Sequence, residues 1–301
     1  MFVELKNINS ELTNNADAFI SDCDKAYYES IRRIADTVIS EKASRPILLI
    51  SGPSGSGKTT SAHILESMLD DAGFETHTLS IDNFFHPMTS EEKKLHAEGK
   101  MNLESPERVD SVLLTDTLNS IIESKPVCLP RFDFKTNTRA LDCTPLIRKQ
   151  DELIILEGTH ALNPDVVAVD PDKTLPIYVS VRTRVRTDDG RLIHPEYIRL
   201  MRRMLRDNKF RGRSFTETAK MYASVQKGEN DYIMPYKHRS VFDIDTFIAY
   251  ELCVYRDLIF EGLKKEGLDR KIPELESLLA PLLALCENKV PKTSLIREFL
   301  G

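Results

Sequence analysis

Two textures of apolar residues run through this chain: short unbroken runs, and longer segments with an apolar position every three or four residues. The runs at 47–50 and 153–156 are short and uninterrupted, as expected of strands covered on both faces, and 176–181, broken only by Ser180, suggests another strand. Residues 75–81 and 241–247 add two further strands to that set. Between the runs the period becomes helical. Ala62, Leu65, Met68, Leu69 and Ala72 share one side of a helix that Gly73 caps, and Leu114, Leu118, Ile121 and Ile122 do the same within 107–124. Ahead of the first strand, Phe19, Ile20, Cys23, Tyr27, Ile31, Ile34, Ala35 and Val38 predict a long helix over 16–42, separated from the strand by Pro46. Residues 1–15 and 86–104 are polar, and are expected to be a loosely ordered end and a loop. From Tyr250 onward the pattern is mainly helical, and Leu278, Leu279, Leu282, Leu283 and Leu285 form a stripe suited to core packing or to contact with a second copy of the chain. Strands alternating with helices predict an α/β fold with a mainly parallel sheet. No repeat, low-complexity tract or clear linker divides it. The expected layout is a helical N-terminal extension over 1–45, a central domain over 46–250 and a helical C-terminal extension over 251–301.

The first strand runs into Gly52-Pro53-Ser54-Gly55-Ser56-Gly57-Lys58-Thr59-Thr60, and a helix follows. Gly52, Gly55 and Gly57 lack a Cβ, so the backbone can curl and aim successive N–H groups at one anion. The helix adds the positive end of its dipole. In a strand–loop–helix setting this is a P-loop: Gly52 to Thr60 cradle a di- or triphosphate, with contributions from Ser54, Ser56 and Thr60. Lys58 reaches the terminal phosphates and the Thr59 hydroxyl is a Mg²⁺ ligand. The fold expected is therefore the three-layer P-loop NTPase arrangement.

Two acids stand at strand tips. The second strand ends at Ile81-Asp82-Asn83-Phe84-Phe85. A right-handed crossover would bring its carboxyl end to the edge that holds the phosphate cradle. A carboxylate there can deprotonate an attacking hydroxyl or bind Mg²⁺ directly or through water; as a bland alternative, Asp82 caps a helix. Glu157, at the end of Leu153-Ile154-Ile155-Leu156, has the placement of a Walker B acid near Mg²⁺. His160 nearby is expected to be structural. Farther on, ten arginines between Arg182 and Arg213 crowd one region, and Arg199, Arg203 and Arg206 fall on one helical face. Arginines in that pattern suit a lid, over about 183–215, that closes on a transferring phosphoryl group.

Composition narrows the partners. The net charge of −6 lacks the basic footprint of a general nucleic-acid or anionic-membrane binder. No apolar run approaches membrane-spanning length. The five cysteines are dispersed with no C-x-x-C pair, and are expected to be small buried residues of a cytoplasmic protein.

Taken in order, these motifs resemble the uridine kinase and phosphoribulokinase family of P-loop kinases, from about residue 46 to 247. The carriers are Gly52-Pro53-Ser54-Gly55-Ser56-Gly57-Lys58-Thr59, Ile81-Asp82-Asn83-Phe84-Phe85, Pro130-Arg131-Phe132-Asp133-Phe134, Leu156-Glu157-Gly158, and Arg202-Arg203-Met204-Leu205-Arg206-Asp207 leading to Arg211-Gly212-Arg213. The tail Pro291-Lys292-Thr293-Ser294-Leu295-Ile296-Arg297-Glu298-Phe299 also resembles a bacterial uridine-kinase-like branch, some of whose members carry an N-terminal TGS domain that this chain is expected to lack. The resemblance implies an ATP- and Mg²⁺-dependent kinase acting on a hydroxyl of a small metabolite. It implies that Asp82 is the acceptor's base, that Lys58, Arg203 and Arg206 are catalytic, and that Thr59 and Glu157 support the metal. Arg203, Arg211 and Arg213 would then face the acceptor and phosphates. Four acceptor positions depart from the nucleoside-specific pattern. Glu107 replaces a shorter acid at the ribose, Phe132 and Asn137 replace a Tyr and a His around the pyrimidine, and the base-reading Gln falls at about Met221. The expected acceptor is a nucleoside, with a sugar-like alcohol as alternative; a nucleotide-switched regulatory protein is the reading outside enzymes.

Overall fold

The structure, a computed structural model, describes residues 1–41, 45–97, 101–134, 136–268 and 271–301. In chain order the elements are β1 (Phe2–Glu4), α1 (Leu5–Glu41), β2 (Ile47–Ser51), α2 (Lys58–Asp71), β3 (Thr76–Ser80), α3 (Ser90–Ala97), α4 (Ser111–Ile122), β4 (Val127–Asp133) and β5 (Thr138–Leu146). There follow β6 (Leu153–Glu157), β7 (Thr174–Ser180), β8 (Arg184–Arg186), β9 (Leu192–Ile193), α5 (Pro195–Arg211), α6 (Phe215–Tyr232), β10 (Phe242–Asp245), α7 (Glu251–Lys265), α8 (Pro273–Leu279) and α9 (Arg297–Leu300).

The five strands expected from the apolar runs form one parallel sheet in the order β10-β7-β2-β6-β3. Alternation along each strand sorts side chains to opposite faces. Leu48 and Ile50 of β2, Leu153 and Ile155 of β6, and Leu175, Ile177 and Val179 of β7 join a core built with α1, α2, α5 and α7. Ile47 and Leu49, Ile154 and Leu156, and Tyr178 enter a second core with Leu114, Leu118 and Ile121 of α4. Helices thus cover both faces, which gives the three-layer α/β arrangement. Each fully buried Leu or Ile contributes about 2 kcal/mol relative to an exposed one, so the sheet's position is heavily determined.

Four regions differ from the sequence pattern. The N-terminal residues are ordered: β1 pairs in parallel with β8, and α1 begins at Leu5, with Leu5 and Ile8 buried. A break at Asn15 (φ −161°, ψ 92°), whose side chain accepts from the Ala18 amide at 3.1 Å, separates that first stretch from the long helix. The predicted end of this helix at Lys42 lies outside the described residues. The polar segment after β3 contains α3, whose start is capped reciprocally by Thr89 and Glu92. The helix expected over 107–124 is a single 3₁₀ turn, Pro106–Arg108, followed by α4, which Asp110 caps through the Leu113 amide at 3.1 Å. Past α8 the chain is largely irregular up to α9, and Leu283, placed in the apolar stripe, is 46% exposed. Among the cysteines, Cys253 is buried and Cys23 half-buried, but Cys128 and Cys286 are exposed; the Cys143 side chain lies outside the described residues. Among the described residues no helix is long and apolar enough to cross a membrane.

Candidate active site

The site forms along the carboxyl edge of the sheet. β2 delivers the glycine loop, β6 delivers Glu157, and β3, paired to the other side of β6, delivers Asp82 just past its last residue. In this register Ser80 lies beside Glu157, and the Ser80 hydroxyl donates to Glu157 Oε1 at 2.7 Å. The loop is pressed so closely onto β7 that a Cβ on Gly52 would lie 1.9 Å from the Val179 carbonyl oxygen. Gly57 precedes α2 in the left-handed region at φ +84°, which an L side chain rarely adopts. Those two constraints account for glycine at both ends of the turn.

Lys58 is the centre of a ring of carboxylates. Its Nζ donates to the Pro53 carbonyl at 3.2 Å. Desolvation lowers its pKa, against the opposing pull of Glu157, Asp82, Glu298 and Glu104. The Thr59 hydroxyl, exposed at the start of α2, donates to Glu157 Oε2 at 3.5 Å. A hydroxyl and a carboxylate of this kind are hard oxygen donors, and they fit Mg²⁺. Asp82 is pushed up to about 6, first by desolvation and then by the charge of Glu157, with Lys58 opposing. Burial also raises Glu104, while Arg203 and Lys58 pull it down.

A guanidinium wall faces this ring. α5 crosses the glycine loop so closely that a Cβ on Gly55 would sit 3.3 Å from the Arg199 carbonyl oxygen and 3.3 Å from Arg203 Cγ. Arg203 donates to the Ser54 hydroxyl, and Arg199 pairs with Glu229 at 2.6 Å while reaching the Ser54 carbonyl at 3.5 Å. Four arginines gather on one buried carboxylate, Asp207. Arg206 is at 2.9 Å, Arg211 at 3.3 Å, Arg213 at 3.6 Å and Arg203 at 4.0 Å. One carboxylate does not balance that much positive charge. Desolvation lowers Arg203 to about 10 despite the counter-charge of Asp207. Arg203 Nε and Ser56 Oγ are buried with no hydrogen-bond partner among the described residues. Surplus cations and unfilled donors beside a curled glycine loop fit the phosphates of a nucleotide.

Arg202, adjacent to Arg203 in sequence, points the other way. Successive helical positions are rotated by about 100°, so the two side chains cannot share a face. Arg202 is fully buried, and its guanidinium pairs with Glu251 of α7 at 2.7 and 2.9 Å and donates to the Gly55 carbonyl at 3.3 Å. The Thr246 hydroxyl beside it donates to the Ser56 carbonyl at 2.7 Å. Arg202 and Thr246 therefore tie the glycine loop to the segment entering α7.

The β4–β5 hairpin brings two aromatics against Phe85, beside the turn that carries Asp82. Phe132 is buried, with its ring centroid 5.8 Å from Phe85 and 5.1 Å from the exposed Phe134, and its amide donates to Asn83 Oδ1 at 3.3 Å. Asn137 sits in the hairpin turn with φ +53°. Lys135 lies outside the described residues. Glu107 is exposed on the 3₁₀ turn, and the acid from that segment whose charge acts on Lys58 is Glu104. Its neighbour Arg108 packs over the Phe85 ring at 5.1 Å, and Asp82 acts on its charge. Met221 lies half-buried on α6. His160 is buried, held near 4 chiefly by desolvation, and is bonded to the backbone of Glu104 and Tyr232. Neutral and enclosed, it acts as a brace.

The phosphoribulokinase/uridine kinase family model matches residues 47–247, the stretch that runs from β2 past β10. The chain belongs to the phosphoribulokinase/uridine kinase family. It is therefore a kinase, a phosphotransferase with a small hydroxyl compound as its substrate. Among similar family proteins, the uridine kinase of Clostridium novyi (strain NT) is 31% identical over 244 residues, 78% of this chain and 98% of that protein. The uridine kinase of Lactobacillus helveticus (strain DPC 4571) is 31% identical over 201 residues, 65% of this chain and 84% of that protein. A crystal structure of a putative fructose transport system kinase from Silicibacter sp. TM1040 superposes with a TM-score of 0.52 at 16% identity, covering 71% of this chain and 98% of that one. That likeness shows the shared fold.

Proposed function

We propose that this kinase moves the γ-phosphoryl group of ATP, bound with Mg²⁺, to a hydroxyl of a small metabolite, with a nucleoside as the first acceptor to test. The observation that carries the reading is the placement of Asp82. A desolvated carboxyl group stands at the tip of β3, one strand away from Glu157 and Thr59, and within electrostatic reach of Lys58. A base at such a position takes the proton of an attacking hydroxyl, and the glycine loop and Lys58 hold the phosphates in line with it. Thr59 and Glu157 hold the metal, which neutralises phosphate charge when bound. Arg203, Arg206, Arg211 and Arg213 face the charge that spreads over the transferring group.

The uridine kinases of Clostridium novyi and Lactobacillus helveticus support a nucleoside acceptor. One observation favours a sugar-like alcohol instead. The hairpin side carries the three rings Phe85, Phe132 and Phe134, which offer stacking surface and no hydrogen bond to a base. An ADP-release assay over nucleosides and sugar alcohols decides between them. Release that depends on a nucleoside supports the first reading and release that depends only on sugar alcohols supports the second. Silence across the panel, with ATP bound, overturns both in favour of a nucleotide-switched protein.

A further inference from the structure

The segment that ends the chain lies on the phosphate cradle, outside the stretch that matches the family model. Leu295 is fully buried against Gly57, so closely that a Cβ there would sit 2.7 Å from Leu295 Cδ1. Ser294 shares a buried network with Tyr250 at 2.7 Å and Asp24 at 2.9 Å. Phe299 lies under the Arg202 guanidinium at 4.9 Å, and Lys209 donates to the Leu300 carbonyl. The backbone here is a fixed wall of the site.

From this wall the half-buried Glu298 side chain reaches back to α2. Its Oε2 accepts from the Thr60 hydroxyl at 2.5 Å, and its charge acts on Lys58. Among the described residues Glu298 has no ion pair with an arginine or lysine. The positive features around it are the first turn of a 14-residue helix, Lys58, and the buried Arg202, whose guanidinium Glu251 already pairs. We propose that Glu298 is a donor-site residue that competes with the nucleotide's phosphates for the first turn of α2, and so sets donor affinity by charge. The proposal rests on the nucleotide-donor reading above. Incoming phosphates take the Thr60 hydroxyl and the helix dipole, and the carboxylate swings off into solvent while Leu295 and Phe299 stay in place. Binding energy then measures the difference between two anions at one seat.

Titration calorimetry with ATP, ADP, AMP and adenosine tests this in the wild-type chain and in Glu298→Gln, which keeps the side chain's shape and removes its charge. The gain expected in Glu298→Gln is graded. ATP binds roughly tenfold tighter, a factor set by one charge-sized contribution, ADP and AMP gain progressively less, and adenosine does not change. Glu298→Lys enlarges the same gradation, and thermal melting establishes that both variants are folded. Unchanged or weaker ATP binding overturns the proposal, as does an equal change for all four ligands, which would make Glu298 a packing residue. If the wild-type chain binds none of the four, the donor reading itself falls, and the proposal falls with it. Tight wild-type ATP binding with no gradation sinks the proposal alone.

Discussion

Replacing Asp82 by asparagine removes the charge and the basicity while leaving the volume. Two consequences of opposite sign follow. As the acceptor's base, Asp82 is worth about 10³ in turnover, or roughly 4 kcal/mol of transition-state stabilisation, and that is lost. In the folded chain its carboxyl group titrates at about 6 against an ordinary 3.8, first because of desolvation and then because of Glu157. Such a displacement sets about 3 kcal/mol against the ionised form, an upper bound because Asp82 keeps some solvent contact. The fold favours the protonated group, so the penalty is absent below about pH 4 and complete above about pH 6. Asp82→Asn is therefore expected to melt on the order of 5 °C higher than wild type at pH 7.5, with the gap closing toward pH 4. Over the same range wild-type turnover falls as the pH drops through about 6. Melting curves from pH 4 to 8, with turnover measured on the same samples, check both. A variant no more stable than wild type above pH 6 refutes the desolvated carboxylate, and near-normal turnover refutes the base.

Three further outcomes are expected. Lys58→Ala weakens ATP binding by tenfold or more and lowers turnover by about 10³, since a desolvated cation at the cradle is gone; unchanged ATP affinity in a binding assay refutes the assignment. Arg202→Met leaves Glu251 buried without its partner, and chemical denaturation is expected to show a loss of about 3–5 kcal/mol. A loss below about 1 kcal/mol would mean that the ion pair does not fasten the loop. Phe134→Ala, at a ring 59% exposed on the hairpin, is expected to raise the acceptor KM while leaving ATP affinity unchanged, and an unchanged acceptor KM removes the hairpin from the acceptor side.

The strands were legible in the sequence because strands covered by helices on both sides need apolar residues at every position. Leu48 and Ile50 belong to one core, Ile47 and Leu49 to the other, and all four register as an unbroken run. The glycine turn was legible because its backbone geometry excludes other residues. Less could be read where position depends on distant partners. Leu5 and Ile8 have helical spacing, but only the pairing of β1 with β8, some 180 residues on, shows why the chain's start is ordered. Arg202 and Arg203 look equivalent in sequence, and helical rotation alone separates the loop's fastener from the arginine that meets Ser54. That four arginines share Asp207 is not legible in the chain, because charge crowding carries no information on a common partner. Glu104 escaped notice for another reason. It lies in a polar stretch with no period, and the family resemblance singles out Glu107 in that segment instead. The irregular chain after α8 is held by side-chain bonds to backbone, such as Arg297 to the Val290 and Glu287 carbonyls, which no apolar period announces.

The fastening of the glycine loop by Arg202 has a bearing on where the working unit stops. Glu251, which neutralises that arginine, lies four residues beyond the last position of the family match. A fragment cut at the end of the match would keep every motif inside that match and still strand a buried positive charge beneath its own nucleotide loop. Motif boundaries and mechanical boundaries do not coincide in this kinase, and fragments intended to be active must include α7.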